Sequence, residues 1–107
     1  MVVLASISDS EIVLISLIIV HPDYRNHAQS DEDPNVEMTL RLAYAEDVIN
    51  AVLAVQNSNL PFIDSDKVGM LGHSMGGGIT LNILVSKPDL VDAAVLFAPV
   101  SGDATKN

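Results

Sequence analysis

The sequence predicts a single α/β domain, a three-layer sandwich in which helices cover a short parallel sheet. Two observations predict this fold. Three apolar runs typical of strands alternate with two segments of helical periodicity, and each run ends at a proline or at a glycine-rich turn. Strands that are joined in order by helices pair in parallel through right-handed crossovers, and the helices can cover both faces of the sheet.

The composition fits one packed domain over residues 1–107 and excludes several classes of protein. Hydrophobic residues make up 49% of the chain but aromatic residues only 4%, so we expect an aliphatic core. The net charge of −9 disfavours binding to nucleic acids and to anionic membrane surfaces. Without cysteine there are no disulfides or thiolate sites, which is compatible with the cytoplasm, where we expect the protein.

The first strong strand signal covers residues 11–21. The run is β-branched and continuous, which is typical of a strand buried on both faces, and Pro22 ends it. Neither a signal peptide nor a membrane span is expected. The first twenty residues contain no Lys or Arg, and Asp9 and Glu11 interrupt the apolar stretch too early for a span of ~20 residues. The preceding residues 2–7 fit either a short strand or the end of a helix.

A surface loop and a helix are predicted next. The loop over residues 21–35 is polar and contains two prolines; we expect Asp23 and Arg25 to pair locally and the acidic run 31–33 to be solvated. Residues 37–57 predict a helix because apolar residues recur at three- and four-residue spacing. The residues of this predicted apolar face are Leu42, Ala45, Ile49, Val52 and Leu53.

The second half of the chain predicts a strand over residues 66–72, a helix over 75–86 and a strand over 92–98. The buried side of that helix is expected to contain Ile79, Ile83 and Leu84. In a parallel sheet the functional residues lie at the carboxyl ends of the strands. The candidate site segments are therefore residues 21–25, 73–76 and 99–102.

The segment Gly72-His73-Ser74-Met75-Gly76 lies between a predicted strand and a predicted helix. A Gly-x-Ser-x-Gly turn in this context exposes the serine in a strained conformation, and its glycines let neighbouring backbone pass closely. A serine hydroxyl needs a general base and donors for the oxyanion that forms. We therefore predict Ser74 as the catalytic nucleophile and the Met75 amide, at the helix N-terminus, as an oxyanion donor.

Other interpretations of the glycines are weaker. Ser74 breaks a Gly-x-Gly-x-x-Gly pattern, and no Gly-Lys-Ser/Thr follows, so a phosphate-binding loop is not expected. Gly77 and Gly78 extend the close approach of helix to strand, and His73 is interpreted as a filler of the turn because adjacent side chains there point apart. No cluster has metal-ligand spacing, so neither a metal nor a cofactor is expected. The structural alternative is a turn that only packs a helix on a sheet.

The sequence resembles the α/β-hydrolase superfamily in two places, at residues 72–77 and at the sequence Pro-Asp-Tyr-Arg over residues 22–25. The nearer resemblance is to its prolyl-oligopeptidase-like and dienelactone-hydrolase-like branch, and it covers about residues 21–102. It implies a partial α/β-hydrolase fold in which the three strands match the family's fourth, fifth and sixth strands. It also implies acyl transfer through an acyl-serine at Ser74, on ester or peptide substrates and without a cofactor.

The usual triad is incomplete in this chain. The family order is serine, then an acid, then a histidine, but Ser74 is followed only by three acids, Asp89, Asp92 and Asp103, and by no histidine. All three histidines, at positions 21, 27 and 73, come earlier or within the turn. His21 ends a strand at the candidate edge and is the predicted base, with a polar strand terminator as the alternative. His27 is interpreted as a solvated loop residue.

Two hypotheses follow. The first is a serine hydrolase, an esterase or a peptidase, whose base is His21 or His27 or comes from another subunit. The second is a catalytically silent hydrolase fragment or an interaction module. A short sheet with two open edges invites pairing with another chain, so we expect a homo-oligomer, most simply a dimer, that buries residues 11–20.

Overall fold

The computed structural model describes residues 2–6, 17–36, 42–101 and 105. In chain order the elements are β1 (Val2–Ser6), β2 (Leu17–Val20), α1 (Leu42–Gln56), β3 (Asp64–His73), α2 (Met75–Ser86) and β4 (Ala93–Phe97). The predicted helix 75–86 is confirmed residue for residue, and the strands 66–72 and 92–98 are confirmed to within two residues at each end. Residues 11–16 of the first predicted strand and 37–41 of the first predicted helix lie outside the described ranges. No helix in those ranges is long and apolar enough to cross a membrane.

The sheet has the strand order β2-β1-β3-β4 and is mixed, so the predicted parallel sheet is confirmed only in part. β3 and β4 do pair in parallel, from Gly69 with Ala93 to His73 with Phe97. β1 lies between β2 and β3 and runs antiparallel to both. The N-terminal segment that fitted either a strand or a helix end is therefore a strand. It supplies partners for backbone groups that β2 and β3 would otherwise leave unpaired.

α1 and α2 pack against each other on one face of the sheet. Val68 and Met70 of β3 are only 1% and 2% exposed because both helices cover them. The core consists of Tyr24, Val36, Tyr44, Ala45, Val48, Val52, Val68, Met70, Ile79 and Ile83. It is not purely aliphatic, contrary to the prediction, since the rings of Tyr24 and Tyr44 stack with centroids 5.1 Å apart. The loop after β2 carries Tyr24 onto α1 and thereby adds both rings to the core.

The buried face of α1 is rotated relative to the predicted face. Its buried residues are Tyr44, Ala45, Val48, Val52 and Val55. Leu42 and Leu53, which were predicted to face the core, are 55% and 40% exposed. The stacked tyrosines explain this difference, because the loop after β2 covers the side of the helix that carries Tyr44. In α2, Ile79 and Ile83 are buried as predicted, whereas Leu84 is only half-buried.

The opposite face of the sheet is open within the described part of the chain. Leu17 and Ile19 of β2 are 51% and 64% exposed, and Val95 and Phe97 of β4 are 59% and 65% exposed. β2 is therefore not buried on both faces, contrary to the prediction, because both described helices lie on the other face. The layer that would complete a three-layer sandwich stays a prediction.

Candidate functional site

Ser74 lies on the turn between β3 and α2, at the carboxyl end of β3. Its backbone has φ 53° and ψ −116°, in a region that residues with a Cβ rarely adopt. The residue is exposed. The strand, turn and helix that the Gly-x-Ser-x-Gly motif requires are thus present, with the serine at the strained position.

Backbone hydrogen bonds hold Ser74 from both sides. Its N–H donates to the Phe97 carbonyl oxygen at the end of β4, at 3.0 Å. Its own carbonyl oxygen accepts from the N–H groups of Gly78, at 3.2 Å, and Val100, at 3.1 Å. A strained residue costs about 1–3 kcal/mol and persists only where its surroundings fix it. Here the end of the neighbouring parallel strand does so.

The glycines around Ser74 allow backbone segments to approach closely. A Cβ on Gly72 would collide with the Gly76 carbonyl oxygen and lie 2.5 Å from Thr80 Oγ1. A Cβ on Gly77 would lie 2.7 Å from the Pro99 Cβ. The first turn of α2 therefore packs directly on β3 and on the segment after β4, and side chains at these positions would push them apart.

The N-terminus of α2 lies beside Ser74. The first helical hydrogen bond runs from the Gly78 N–H to the Ser74 carbonyl, so the Met75 N–H has no acceptor within the helix. The partial positive charge of the helix is concentrated at this end. A negative oxygen bound to Ser74 would therefore meet a favourable field, and the role of the Met75 amide as an oxyanion donor stays a prediction.

His73 and Ser74 are held differently although they are neighbours. The His73 ring is exposed and stacks on the Phe97 ring, with centroids 5.2 Å apart and planes at 29°. His73 pairs with Phe97 in the sheet, and both side chains lie on the open face, away from the helices. The His73 ring therefore packs on the sheet, as a filler of the turn would.

The structure does not bring His21 to Ser74. Val20 and Met70 both pair with Val3, so two strand spacings, about 10 Å, separate β2 from β3. Ser74 lies four residues beyond Met70 along β3, whereas His21 lies one residue beyond Val20. The difference of three residues adds about 10 Å along the strands. Together these offsets exceed the reach of a hydrogen bond between the two side chains.

His27 belongs to the aromatic cluster of the loop after β2. Its ring lies edge-on to the rings of Tyr24 and Tyr44, with centroids 5.6 and 5.5 Å away. Its Nδ1 lies 3.0 Å from the Arg25 carbonyl oxygen and donates to it. This residue is exposed, as predicted, but it is also fixed by the cluster rather than solvated on all sides.

Arg25 anchors the same loop to α1, a role that sequence reasoning missed. Its guanidinium bonds to Asp47 at 2.7 Å and to Asp33 at 3.0 Å, and its backbone N–H donates to Asp47 at 3.0 Å. The predicted local pair with Asp23 is replaced by these contacts, and Asp33 is half-buried rather than fully solvated. Because Asp47 is 22 residues away along the chain, no local pattern could have indicated this pairing.

Charged hydrogen bonds shift the ionisation of this cluster. Burial works to raise the pKa of the Asp47 carboxyl, but hydrogen bonds from the Arg25 side chain and backbone outweigh it and lower that pKa. The pKa of Asp33 is lowered by the backbone N–H of Asn35 and by Arg25. Hydrogen bonds to Asp47 and Asp33 raise the pKa of Arg25. All three groups are therefore held in their charged forms.

The described carboxylates that follow Ser74, Asp89 and Asp92, are not gathered at the site. Asp92 accepts the Val68 N–H at 2.8 Å, near the amino end of the β3–β4 pairing. Four residue pairs, about 13 Å, separate that end from His73. Asp89 is exposed in the turn after α2, and Asp103 lies outside the described residues. Within the described ranges, no group of three acidic or histidine side chains could hold a metal ion.

Comparison with known proteins supplies the family. Residues 18–107 match the family described as serine aminopeptidase, S33. An uncharacterised protein of Mycobacterium tuberculosis (strain ATCC 25618 / H37Rv) is 30% identical over 89 residues, which are 83% of this chain and 23% of that protein. An uncharacterised protein of Mycobacterium bovis matches with the same values.

A second kind of relative matches a shorter stretch. A probable dipeptidyl peptidase 4 of Aspergillus flavus is 41% identical over 66 residues, which are 62% of this chain and 8% of that protein. No solved structure matches the chain. The chain spans less than a quarter of the length of these curated relatives. The family match includes β2, β3, β4 and the turn with Ser74, and on this ground the chain belongs to the serine aminopeptidase S33 family of the α/β-hydrolase superfamily.

Proposed function

We propose that this chain carries the nucleophile of a serine hydrolase that acts on carboxylic esters or peptides through an acyl-serine at Ser74. The observation that carries the proposal is the left-handed backbone of Ser74 on the turn from β3 to α2. Strained residues that their surroundings fix in this way cluster at active sites. Membership of a family described as serine aminopeptidase supports the same chemistry.

In the proposed reaction Ser74 Oγ attacks the substrate carbonyl carbon and gives its proton to a general base. The carbonyl electron pair moves onto oxygen, to which the Met75 N–H donates. As the carbonyl re-forms, the bond to the leaving alcohol or amine breaks, and the base returns the proton to that group. Water then repeats the sequence on the acyl-serine and releases the acid.

The identity of the general base stays a prediction. Direct proton transfer from Ser74 to His21 would have to cross the strand β1, which lies between β2 and β3. We propose that the base comes from outside the described part of this chain, from a second subunit or from a longer polypeptide. Loss of a catalytic base typically lowers the rate by ~10⁴-fold, yet some catalysis over water persists. We therefore expect weak activity from the chain alone.

The substrate class rests on the relatives. The family description and the peptidase name of the fungal relative favour peptides, and simple activated esters serve as convenient test substrates for the same acyl transfer. A cytoplasmic location stays a prediction.

Substitution of the serine tests the proposal. Hydrolysis of p-nitrophenyl acetate is compared for the wild type, Ser74→Ala and the matched control Ser86→Ala, an exposed serine at the far end of α2. We expect Ser74→Ala to lose the part of the rate that passes through the acyl-serine and to fall below the wild type, and Ser86→Ala to keep the wild-type rate. Equal rates for the wild type and Ser74→Ala would remove Ser74 as the nucleophile.

The second candidate function is a catalytically silent module that associates through its sheet. The open face over Leu17, Ile19, Val95 and Phe97 favours it. A fluorophosphonate separates the two functions, because it labels only an activated serine. One label per chain, absent in Ser74→Ala, supports the hydrolase; no labelling of the wild type supports the silent module.

A further inference from the structure

Thr80 of α2 has a polar side chain that is completely buried. The residue is 0% exposed, although the other buried side chains of this helix, those of Ile79 and Ile83, are apolar. Burying a hydroxyl is unfavourable unless it forms a hydrogen bond, and threonine also has a lower helix propensity than alanine or leucine. Valine has almost the same shape and would fill the same space without a polar atom. Core packing therefore does not by itself account for a threonine at this position.

The Thr80 hydroxyl bonds to the backbone of the first turn of α2. Its Oγ1 donates to the Gly76 carbonyl oxygen at 2.8 Å. Both groups lie against the end of β3, because a Cβ built on Gly72 would lie 2.5 Å from Thr80 Oγ1 and would collide with the Gly76 carbonyl oxygen. Gly72 and Gly76 are the residues two positions before and two positions after Ser74. The hydroxyl therefore contacts both ends of the turn that carries the proposed nucleophile.

The first turn of α2 has little helix propensity of its own. It consists of Met75 and three glycines, residues 76–78, and glycine both disfavours a helix and readily leaves it. In an α-helix the Gly76 carbonyl oxygen accepts the Thr80 N–H, and the Thr80 hydroxyl adds a second bond to the same oxygen. Contacts from the surrounding structure thus hold this turn, and with it the Met75 N–H, in one orientation.

We propose that Thr80 is a positioning residue for acyl transfer at Ser74. Its hydroxyl holds the glycine-rich first turn of α2 against β3, and this turn carries the Met75 N–H, the oxyanion donor of the proposed reaction. The inference rests on the proposed function and deepens it. Loss of one oxyanion donor typically lowers the rate by about 10²–10³-fold. A donor that is kept but misaligned should cost less, about tenfold.

Two substitutions separate the hydroxyl of Thr80 from its packing. Thr80→Val keeps the shape and removes the hydroxyl, whereas Thr80→Ser keeps the hydroxyl and removes a buried methyl group. Because the Gly76 carbonyl retains its helical bond in Thr80→Val, we expect this variant to unfold at the same urea concentration as the wild type or at a higher one. Thr80→Ser leaves a small cavity and should unfold at a lower urea concentration.

The rate at which Ser74 is labelled should follow the opposite order. With an alkyl fluorophosphonate, Ser74 Oγ bonds to phosphorus, fluoride leaves, and the serine proton passes to the base or to water. The phosphoryl oxygen takes the place of the oxyanion, so the rate depends on the Met75 N–H. Measured by intact mass, labelling should be about tenfold slower than the wild type in Thr80→Val and within about threefold of it in Thr80→Ser.

Ser86→Ala is the matched control. The Ser86 hydroxyl also donates to a carbonyl oxygen of α2, that of Ile83, at 3.3 Å, but it lies at the far end of the helix from Ser74. Its loss removes a comparable hydrogen bond without touching the turn, so the labelling rate should equal that of the wild type. Circular dichroism of each variant checks that it folds.

Each failure has a distinct form. If the wild type is labelled at Ser74 but Thr80→Val loses less than about threefold in rate, the inference about Thr80 is overturned and the proposed function stands. The same holds if Thr80→Ser is labelled as slowly as Thr80→Val, because the hydroxyl would then not be the group that matters. If the wild type is not labelled at Ser74, the proposed function falls and the inference falls with it.

Discussion

Arg25 connects the loop after β2 to helix α1 through carboxylates that are distant along the chain. The Asp47 side chain is 21% exposed and accepts three hydrogen bonds from the Arg25 guanidinium. The Glu46 side chain is 68% exposed and lies 3.4 Å from the guanidinium. Bonds between charged groups stabilise more strongly when they are shielded from water. Asp47 should therefore matter for stability and Glu46 should not.

We expect Asp47→Asn to lower the free energy of unfolding by about 1–3 kcal/mol at pH 7, because it removes the charge that pairs with the half-buried Arg25 guanidinium and one of its acceptor oxygens. Urea unfolding measures this change. Glu46→Gln is the matched control, and its effect should stay within about 0.5 kcal/mol, as for exposed ion pairs.

The pH dependence of the same pair has a definite sign. The pKa of Asp47 in the folded chain lies below its ordinary value of 3.8. The stabilisation is therefore fully present above that ordinary value and is lost as the pH falls through the lower, folded pKa. The stability difference between the wild type and Asp47→Asn should shrink below about pH 4. A difference that stays constant from pH 7 to pH 3 would contradict the ionised pair.

Among the elements, α2 was predictable from the sequence because its limits are set locally. A glycine-rich turn precedes it and Lys-Pro follows it. The buried face of α1 was not predictable, since the loop that brings Tyr24 onto Tyr44 follows a different strand. The place of β1 was not predictable either, because five residues do not specify which strands they pair with. Ser74 and its turn were indicated by spacing alone, whereas its bonds to Phe97 and Val100 required the fold.

The contact between α2 and the segment after β4 gives a prediction at this scale. In Gly78→Ala the new Cβ collides with Val100 Cγ2, so overpacking outweighs the higher helix propensity of alanine, and we expect a net loss of about 1 kcal/mol. In the Val100→Ala background the colliding carbon is gone. There the same substitution should stabilise by about 0.5–1 kcal/mol.

Urea unfolding of the four chains measures the coupling directly as a double-mutant cycle. The expected coupling free energy is at least about 1 kcal/mol. Additive effects of the two substitutions would show that Val100 does not lie against the first turn of α2.

For the whole molecule, the distribution of charge favours one surface for self-association. The chain has a net charge of −9. No carboxylate, however, lies on the open face of β2, of β4 or of residues 67–73 of β3. A second copy could therefore approach this face without the repulsion that acidic surfaces would cause. The proposed dimer would bury the exposed apolar residues that both copies present there.

We expect light scattering to give twice the 11.4 kDa mass of one chain for the wild type, and the mass of one chain for Val95→Lys. The new charge would be buried without a partner in the dimer. Val85→Lys adds the same charge at an exposed valine on the helical side and should leave the mass unchanged. A wild type that is monomeric at all concentrations would exclude the dimer.

The bonds between Ser74 and the end of β4 can form only late in the synthesis of the chain. The partners of the Ser74 backbone lie 23 and 26 residues further along the chain, at Phe97 and Val100. During synthesis, β3 and α2 emerge from the ribosome before β4, so the Ser74 backbone lacks these two partners until β4 follows. The Ser74 turn therefore acquires these bonds only when β4 docks, and a chain cut short before Ala93 would retain the motif but lack both partners of the Ser74 backbone.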